Sequence, residues 1–308
     1  MLRNYERARR EVKQTAEAAR GGYILDTMSE SPSTSDPRVR ALRTMFRTMG
    51  AVAPGIASHV AERVFCRPPG AAVRPNEEAF LATGRHFTID ADGHRFAAWE
   101  WGAGPTVLAV HGWGSLAGRF SVLAPALVAA GRRVVVYDGP AHGRSTGRLA
   151  SLPAFTRALV AVARHLGPLD GVVGHSLGGA AIAVALHLGI EARRAALIAA
   201  PADPVRFVDH YIELLAVSRD TRQRMQERME RRYGIPWREM HLPTIAPGLR
   251  TPALVVHDLD DTDVPYAEGE AVAGAWPGAE LAATRGLGHR AILRDPGVAA
   301  RVTTFLTG

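Results

Sequence analysis

The chain has 308 residues, 47% of them hydrophobic, and a formal charge of +7 at neutral pH. That is material for one large domain with additions. Cys66 is the single cysteine, which excludes an internal disulfide and a multi-cysteine metal site and makes a reducing cytoplasm the expected compartment.

The basic excess is carried by arginine, since Lys13 is the only lysine. No run of adjacent basic residues forms a patch, so a GC-rich coding bias is preferred over attraction to nucleic acid, anionic membrane or anionic substrate. No nucleic-acid partner is expected. Residues 1–38 are polar and read as a flexible segment with a linker at Ser31–Pro37, lacking a secretory-signal pattern. Met28 and Met45 offer alternative start sites.

Residues 39–80 read as a helical extension. Val39, Leu42, Phe46 and Met49, then Ile56, Val60 and Val64, recur at helical spacing around the Pro54-Gly55 break. The pair is expected to cover its own domain, in preference to lying on a membrane or forming a dimer. From residue 81 the pattern changes to short strand-like runs: His86–Asp90, Arg95–Trp101, Val107–Val110, Arg133–Asp138, Gly171–Gly174, Ala196–Ala200, Ala253–Asp258 and Glu280–Thr284. Asp92-Gly93 marks a hairpin between the first two. The later strands alternate with helical stretches, which predicts an α/β fold: a mostly parallel central sheet with helices on both faces. Residues 81–201 and 251–308 form this core. Residues 202–250 interrupt the rhythm and read as a short helical cap.

Gly174-His175-Ser176-Leu177-Gly178 fits G-x-S-x-G, and so does Gly143-Arg144-Ser145-Thr146-Gly147. Only Ser176 lies directly between a strand and a helix, the context that lifts a serine above a sheet in a strained turn. Ser176 is therefore the expected nucleophile and Ser145 is structural. A serine needs a base to take its proton, and histidine needs a carboxylate to fix its tautomer. His289, in the loop Arg285-Gly286-Leu287-Gly288-His289 after the last strand, is the candidate base. The loop after Ala253–His257 offers four carboxylates: Asp258, Asp260, Asp261 and Asp263. Asp261 is preferred, with Asp263 open as the alternative; the others are expected to be solvated or to cap the next helix. His175 is expected to point away, and His142 and His257 to be structural. The backbone N–H groups of Trp113 and Leu177 are the expected oxyanion donors.

These segments resemble the α/β-hydrolase superfamily, in its serine-hydrolase, carboxylesterase-like form. The matching pieces are His111-Gly112-Trp113-Gly114, Asp138 to Ser145, Gly174 to Gly179, His257 to Pro265, and Gly286 to His289. They cover roughly residues 86–306. Two departures stand out: His257-Asp258 replaces the common His-Gly, and the first 80 or so residues have no counterpart in the family's minimal form. The resemblance implies ester hydrolysis through an acyl-enzyme, with a small-molecule ester as partner and neither metal nor organic cofactor. An acyltransferase or thioesterase using the same triad, or a non-catalytic binding protein on the same fold, are the alternatives. The short cap suggests a small or medium acyl group.

Overall fold

The structure, a computed structural model, describes residues 34–308. Most of the segment expected to be flexible lies outside that range. Its end is ordered as helix: the Asp36 side chain accepts from the Arg38 N–H, and Pro37 sits in the first turn, where its missing N–H costs nothing. Helix α1 therefore spans Pro37–Val52, starting ahead of the apolar periodicity. Helices α2 (Pro54–Phe65) and α3 (Pro75–Ala82) complete the N-terminal extension.

The core opens with β1 (Arg85–Ala91) and β2 (His94–Trp101), joined at Asp92 and Gly93, both with positive φ. Such a pair matches the twist of a tight hairpin. Then follow β3 (Thr106–Val110), α4 (Leu123–Ala129), β4 (Arg133–Tyr137), α5 (Leu152–Leu166), β5 (Leu169–His175), α6 (Leu177–His187) and β6 (Ala192–Ile198). Residues 202–250, the segment expected to be a cap, contribute α7 (Pro204–Leu214), α8 (Arg219–Tyr233) and the short α9 (Leu242–Ile245). The chain ends with β7 (Ala253–Asp258), α10 (Tyr266–Ala275), β8 (Glu280–Thr284), α11 (Gly288–Ala291) and α12 (Pro296–Thr307).

The eight strands form one sheet in the order β1-β2-β4-β3-β5-β6-β7-β8. β1, β2 and β4 pair antiparallel, and all remaining neighbours are parallel. Side chains alternate between two cores. Leu108 and Val110 of β3 face one, with α1, α5, α6 and the cap; Val107 and Ala109 face the other, with α4 and α12. β6 begins at Ala192 rather than Ala196, because its polar start is held by Arg193, which reaches Asp170 on β5 at 2.7 Å. Between β3 and β4 the helical connection is divided into a 3-10 turn at Ala117–Phe120 and α4.

The cap is fastened at both ends. Glu268 accepts the Ala202 and Asp203 N–H groups, and the Leu242 N–H donates to the Ala202 carbonyl. α2 lies against α8 through Glu62, which is buried and ion-paired with Arg228 at 2.7 Å and with Arg232. Arg228 also donates to the Ser58 hydroxyl and carbonyl. The N-terminal extension is thus tied to the cap by a buried carboxylate whose oxygens are matched by charged donors.

Candidate active site

The β5–α6 junction holds Ser176 at φ 52°, ψ −123°, a backbone setting that is costly for a non-glycine residue and held by its surroundings. Its N–H donates to the Ile198 carbonyl at 2.8 Å. The motif glycines explain themselves sterically. A Cβ at Gly174 would lie 2.5 Å from Gly178, and one at Gly178 would lie 2.2 Å from the Val110 carbonyl oxygen. Leucine and alanine cannot replace them without moving the backbone of the turn. The Ser176 side chain is partly exposed at the carboxyl end of the sheet.

Ser145 occupies a different place. Its hydroxyl donates to the Asp138 carbonyl at 2.5 Å and accepts the Ala97 N–H at 2.9 Å, which stitches the β4 loop to β2.

The loops after β7 and β8 bring Asp261 to His289: Nδ1 of the histidine lies 2.8 Å from the Asp261 carboxylate, and the aspartate side chain is fully buried. Asp263 lies aside, nearest Arg290 at 3.7 Å. The other Asp261 oxygen accepts the N–H groups of Asp263 and Val264 at 2.9 and 2.8 Å. Burial alone would raise its pKa. Hydrogen bonds from His257 and His289, the charge of His289 and the Val264 N–H outweigh burial and hold the carboxyl well below the usual range. His257, wholly buried, donates through Nε2 to the Val264 carbonyl at 2.8 Å and lies 3.5 Å from Asp261.

Two expectations are corrected here. Asp258 is neither solvated nor a helix cap. It is buried, and it accepts the Thr284 hydroxyl at 2.6 Å, the Leu287 N–H at 3.1 Å and the Asp260 N–H at 3.0 Å. Asp260 adds the Gly286 N–H at 2.9 Å. The two carboxylates gather the loop that carries His289, an arrangement that His-Gly at 257–258 could not make because glycine has no acceptor side chain. His175 does not turn away. Its ring lies 4.8 Å from that of His289, and its Nε2 bonds the His289 carbonyl oxygen at 2.8 Å. Both residues were present in the motifs, but the partners that tie them to the His289 loop, Thr284 and Leu287 for Asp258 and His289 for His175, lie over 25 residues distant.

The loop after β3 is fixed by two buried histidines. His142 accepts the Gly114 N–H at Nε2, 3.0 Å, with its Nδ1 on the Pro140 carbonyl. His111 accepts the Gly139 N–H at Nε2, 2.8 Å, with its Nδ1 on the Gly112 carbonyl. These bonds require neutral rings with the proton on Nδ1. Burial lowers the pKa of His111 to about 4, and burial together with the neighbouring His111 lowers that of His142 to about 3. Gly112 packs so closely that a Cβ there would be 3.0 Å from that of Ser176. Among the described residues, the N–H groups of Trp113 and Leu177 donate to no protein acceptor.

The N-terminal extension reaches the loop after β3. Phe65 stacks on Trp113 at 6.4 Å and meets Tyr211 of α7 at 5.0 Å. Pro69 abuts Gly114. No signal in the sequence alone placed Phe65 or Tyr211 here.

The model of the family described as serine aminopeptidase, S33, matches residues 103–230. A non-heme haloperoxidase of Rhodococcus erythropolis is 34% identical over 119 residues, which is 37% of this chain; the match spans 43% of that protein's length. Among solved structures, Est1E of Butyrivibrio proteoclasticus with bound ferulic acid is similar at a TM-score of 0.59 and 17% identity, covering 72% of this chain and all of that one. A bromoperoxidase of Bacillus anthracis aligns at a TM-score of 0.54 and 17% identity, over 72% of this chain and 99% of that one. At such identity these likenesses speak for the fold.

Proposed function

We propose that this chain, which has the fold of the α/β hydrolases and matches the serine aminopeptidase family model over residues 103–230, is a serine hydrolase that cleaves carboxylic esters through an acyl-enzyme. The observation that carries this reading is the 2.8 Å Asp261–His289 contact, tied to the strained strand-to-helix turn of Ser176 through its neighbour His175, which bonds the His289 carbonyl oxygen at 2.8 Å. Ser176 Oγ attacks the acyl carbon while Nε2 of His289 takes its proton. The free N–H groups of Trp113 and Leu177 hold the developing oxyanion. His289 gives the proton to the leaving alcohol and then draws one from water, which attacks the acyl carbon; the acyl–Oγ bond breaks, Ser176 Oγ takes the proton back from His289, and the acid leaves. Asp261 stays ionised, fixes the imidazole tautomer and stabilises the imidazolium.

Phe65, Trp113 and Tyr211 form an aromatic cluster on the loop that carries the expected oxyanion donor Trp113, which suits a compact apolar acyl group. The same serine could pass its acyl group to an alcohol or thiol, or take it from a thioester, so substrate panels include acyl-thioesters and added acceptors. Because a relative is named a haloperoxidase, halide oxidation with added peroxide is a further arm.

The test is labelling with a fluorophosphonate, which reacts with an activated serine. Wild type and Ser145→Ala are expected to label; Ser176→Ala and His289→Ala are not. Labelling retained in Ser176→Ala would move the nucleophile elsewhere, and a folded wild type that resists the probe would favour a non-catalytic binding protein.

A further inference from the structure

We propose that the outer face of the N-terminal helical hairpin docks the protein on an anionic lipid surface. The inner faces of α1 and α2 are spent on the domain itself, through Val39, Leu42, Phe46, Ala57 and Ala61, all buried. The outer faces are different. Val52 is 81% exposed and Ile56 48% exposed, the two most exposed large aliphatic side chains among the described residues. They flank the turn at Ala53-Pro54, with Ala51 and Gly55 exposed beside them. An isolated exposed aliphatic residue is ordinary; two at the tip of one helical turn make a small apolar prow.

Basic residues stand along the two helices that meet at that prow. Residues 37–67 hold six arginines and one acidic residue, Glu62, which is buried and already paired. Helix α8, packed alongside α2, holds six arginines against three acidic residues. The two segments together carry +8, while the whole chain carries +7. The entire basic excess therefore sits in this one layer. On α1, Arg40, Arg47 and Ala51 follow at i, i+7 and i+11; on α2, Ile56, His59 and Arg63 follow at i, i+3 and i+7, and all are exposed. Among the described residues, Arg40, Arg47, Arg63 and Arg67 make no ion pair and no side-chain hydrogen bond.

This combination selects the occupant. A lipid surface with negative headgroups offers charge to the arginines and an apolar layer to Val52 and Ile56. A second copy of the chain would set one basic face against another. A nucleic acid would satisfy the arginines and leave the prow in water, and among the described residues no large aromatic side chain is exposed to stack on bases. No described helix is long and apolar enough to cross a membrane, so the docking is peripheral. The inference is independent of the hydrolase chemistry.

The experiment is co-sedimentation of the full chain with vesicles of phosphatidylglycerol mixed into phosphatidylcholine, and with phosphatidylcholine alone. Binding is expected to the anionic vesicles, weakened by salt. Val52→Asp with Ile56→Asp, and separately Arg47→Glu with Arg63→Glu, are each expected to lower the bound fraction about tenfold or more. Circular-dichroism melts are expected to match wild type; if the aspartate pair melts low, Val52→Ser with Ile56→Ser takes its place. The proposal is overturned if wild type ignores anionic vesicles, or if it binds them as well after the prow is made polar. It is likewise overturned if duplex DNA is bound more tightly than the vesicles and the prow variants leave that binding intact, or if the prow serves only to hold a dimer.

Discussion

Around His289 the carboxylates are turned inward and each is satisfied: Asp261 by a ring nitrogen and two N–H groups, Asp258 by a hydroxyl and two N–H groups. On the outer faces of α1 and α2 the arginines point outward with no protein partner among the described residues. Both regions are rich in charge, and both lie at the edge of the same fold. The difference is what the charge is for. A buried carboxylate with filled lone pairs fixes the geometry of its donors, whereas an unpaired arginine in water fixes nothing and remains free for an external anion.

That contrast can be broken at its strongest point first. Asp261→Asn keeps the shape but removes the charge and reverses the hydrogen-bond preference at His289. Turnover on an activated ester is expected to fall about 10⁴-fold, with the melting temperature little changed. A loss below about tenfold would return the acid's role to Asp263 or to none of these residues.

Asp258 sharpens the comparison one layer further out. Asp258→Leu leaves the Thr284 hydroxyl and two N–H groups without an acceptor, at about 1–3 kcal/mol for each group that stays buried and unpaired. The loop carrying His289 should loosen, so kcat is expected to fall about 10–100-fold while KM stays nearly constant. Asp258→Asn, which keeps one acceptor oxygen, should recover part of the loss. Equal falls in both variants, matched by equal losses of stability, would reduce Asp258 to a structural role.

The smallest effect is the dependence of stability on acid. His111, His142 and His175 are buried and neutral, with pKa values lowered to about 4, 3 and 3, by burial first and by neighbouring histidine or arginine charge second. In the unfolded chain each titrates near the ordinary value of about 6.5. Between those limits the unfolded state holds the extra protons, so stability is complete above about pH 6.5 and declines as pH falls toward 3. Each histidine adds up to about 1.4 kcal/mol per pH unit within its window. Urea melts from pH 7 to 4 should show the decline, and His142→Gln should flatten it. A wild-type stability that does not fall over that range would contradict the buried, neutral assignment.

Much of the site was legible as pattern. The strand-turn-helix context distinguished Ser176 from Ser145, because the two serines share a five-residue motif and differ only in what flanks it. The glycine-bracketed loop pointed to His289, and the structure brings that residue to Asp261. The same reasoning misplaced Asp258 and His175. Local spacing says how far a side chain lies from its strand end; it does not say which loop will arrive above it. Phe65 and Tyr211 were invisible for a stronger reason: they meet across more than 140 residues of chain, and neither sits in a motif.

The sequence by itself determined the period of the strands and helices, the turn glycines and the strained strand-to-helix turn at Ser176, since these depend on neighbours within a few residues. It also contained the net charge, but not where that charge lies. Arginines that never form a run in the chain become one layer only when α2 and α8 pack side by side around Glu62. Tertiary structure alone decided that assembly, along with the loop held by Asp258 and the aromatic cluster of Phe65, Trp113 and Tyr211, because each is made of side chains distant in sequence and joined by packing.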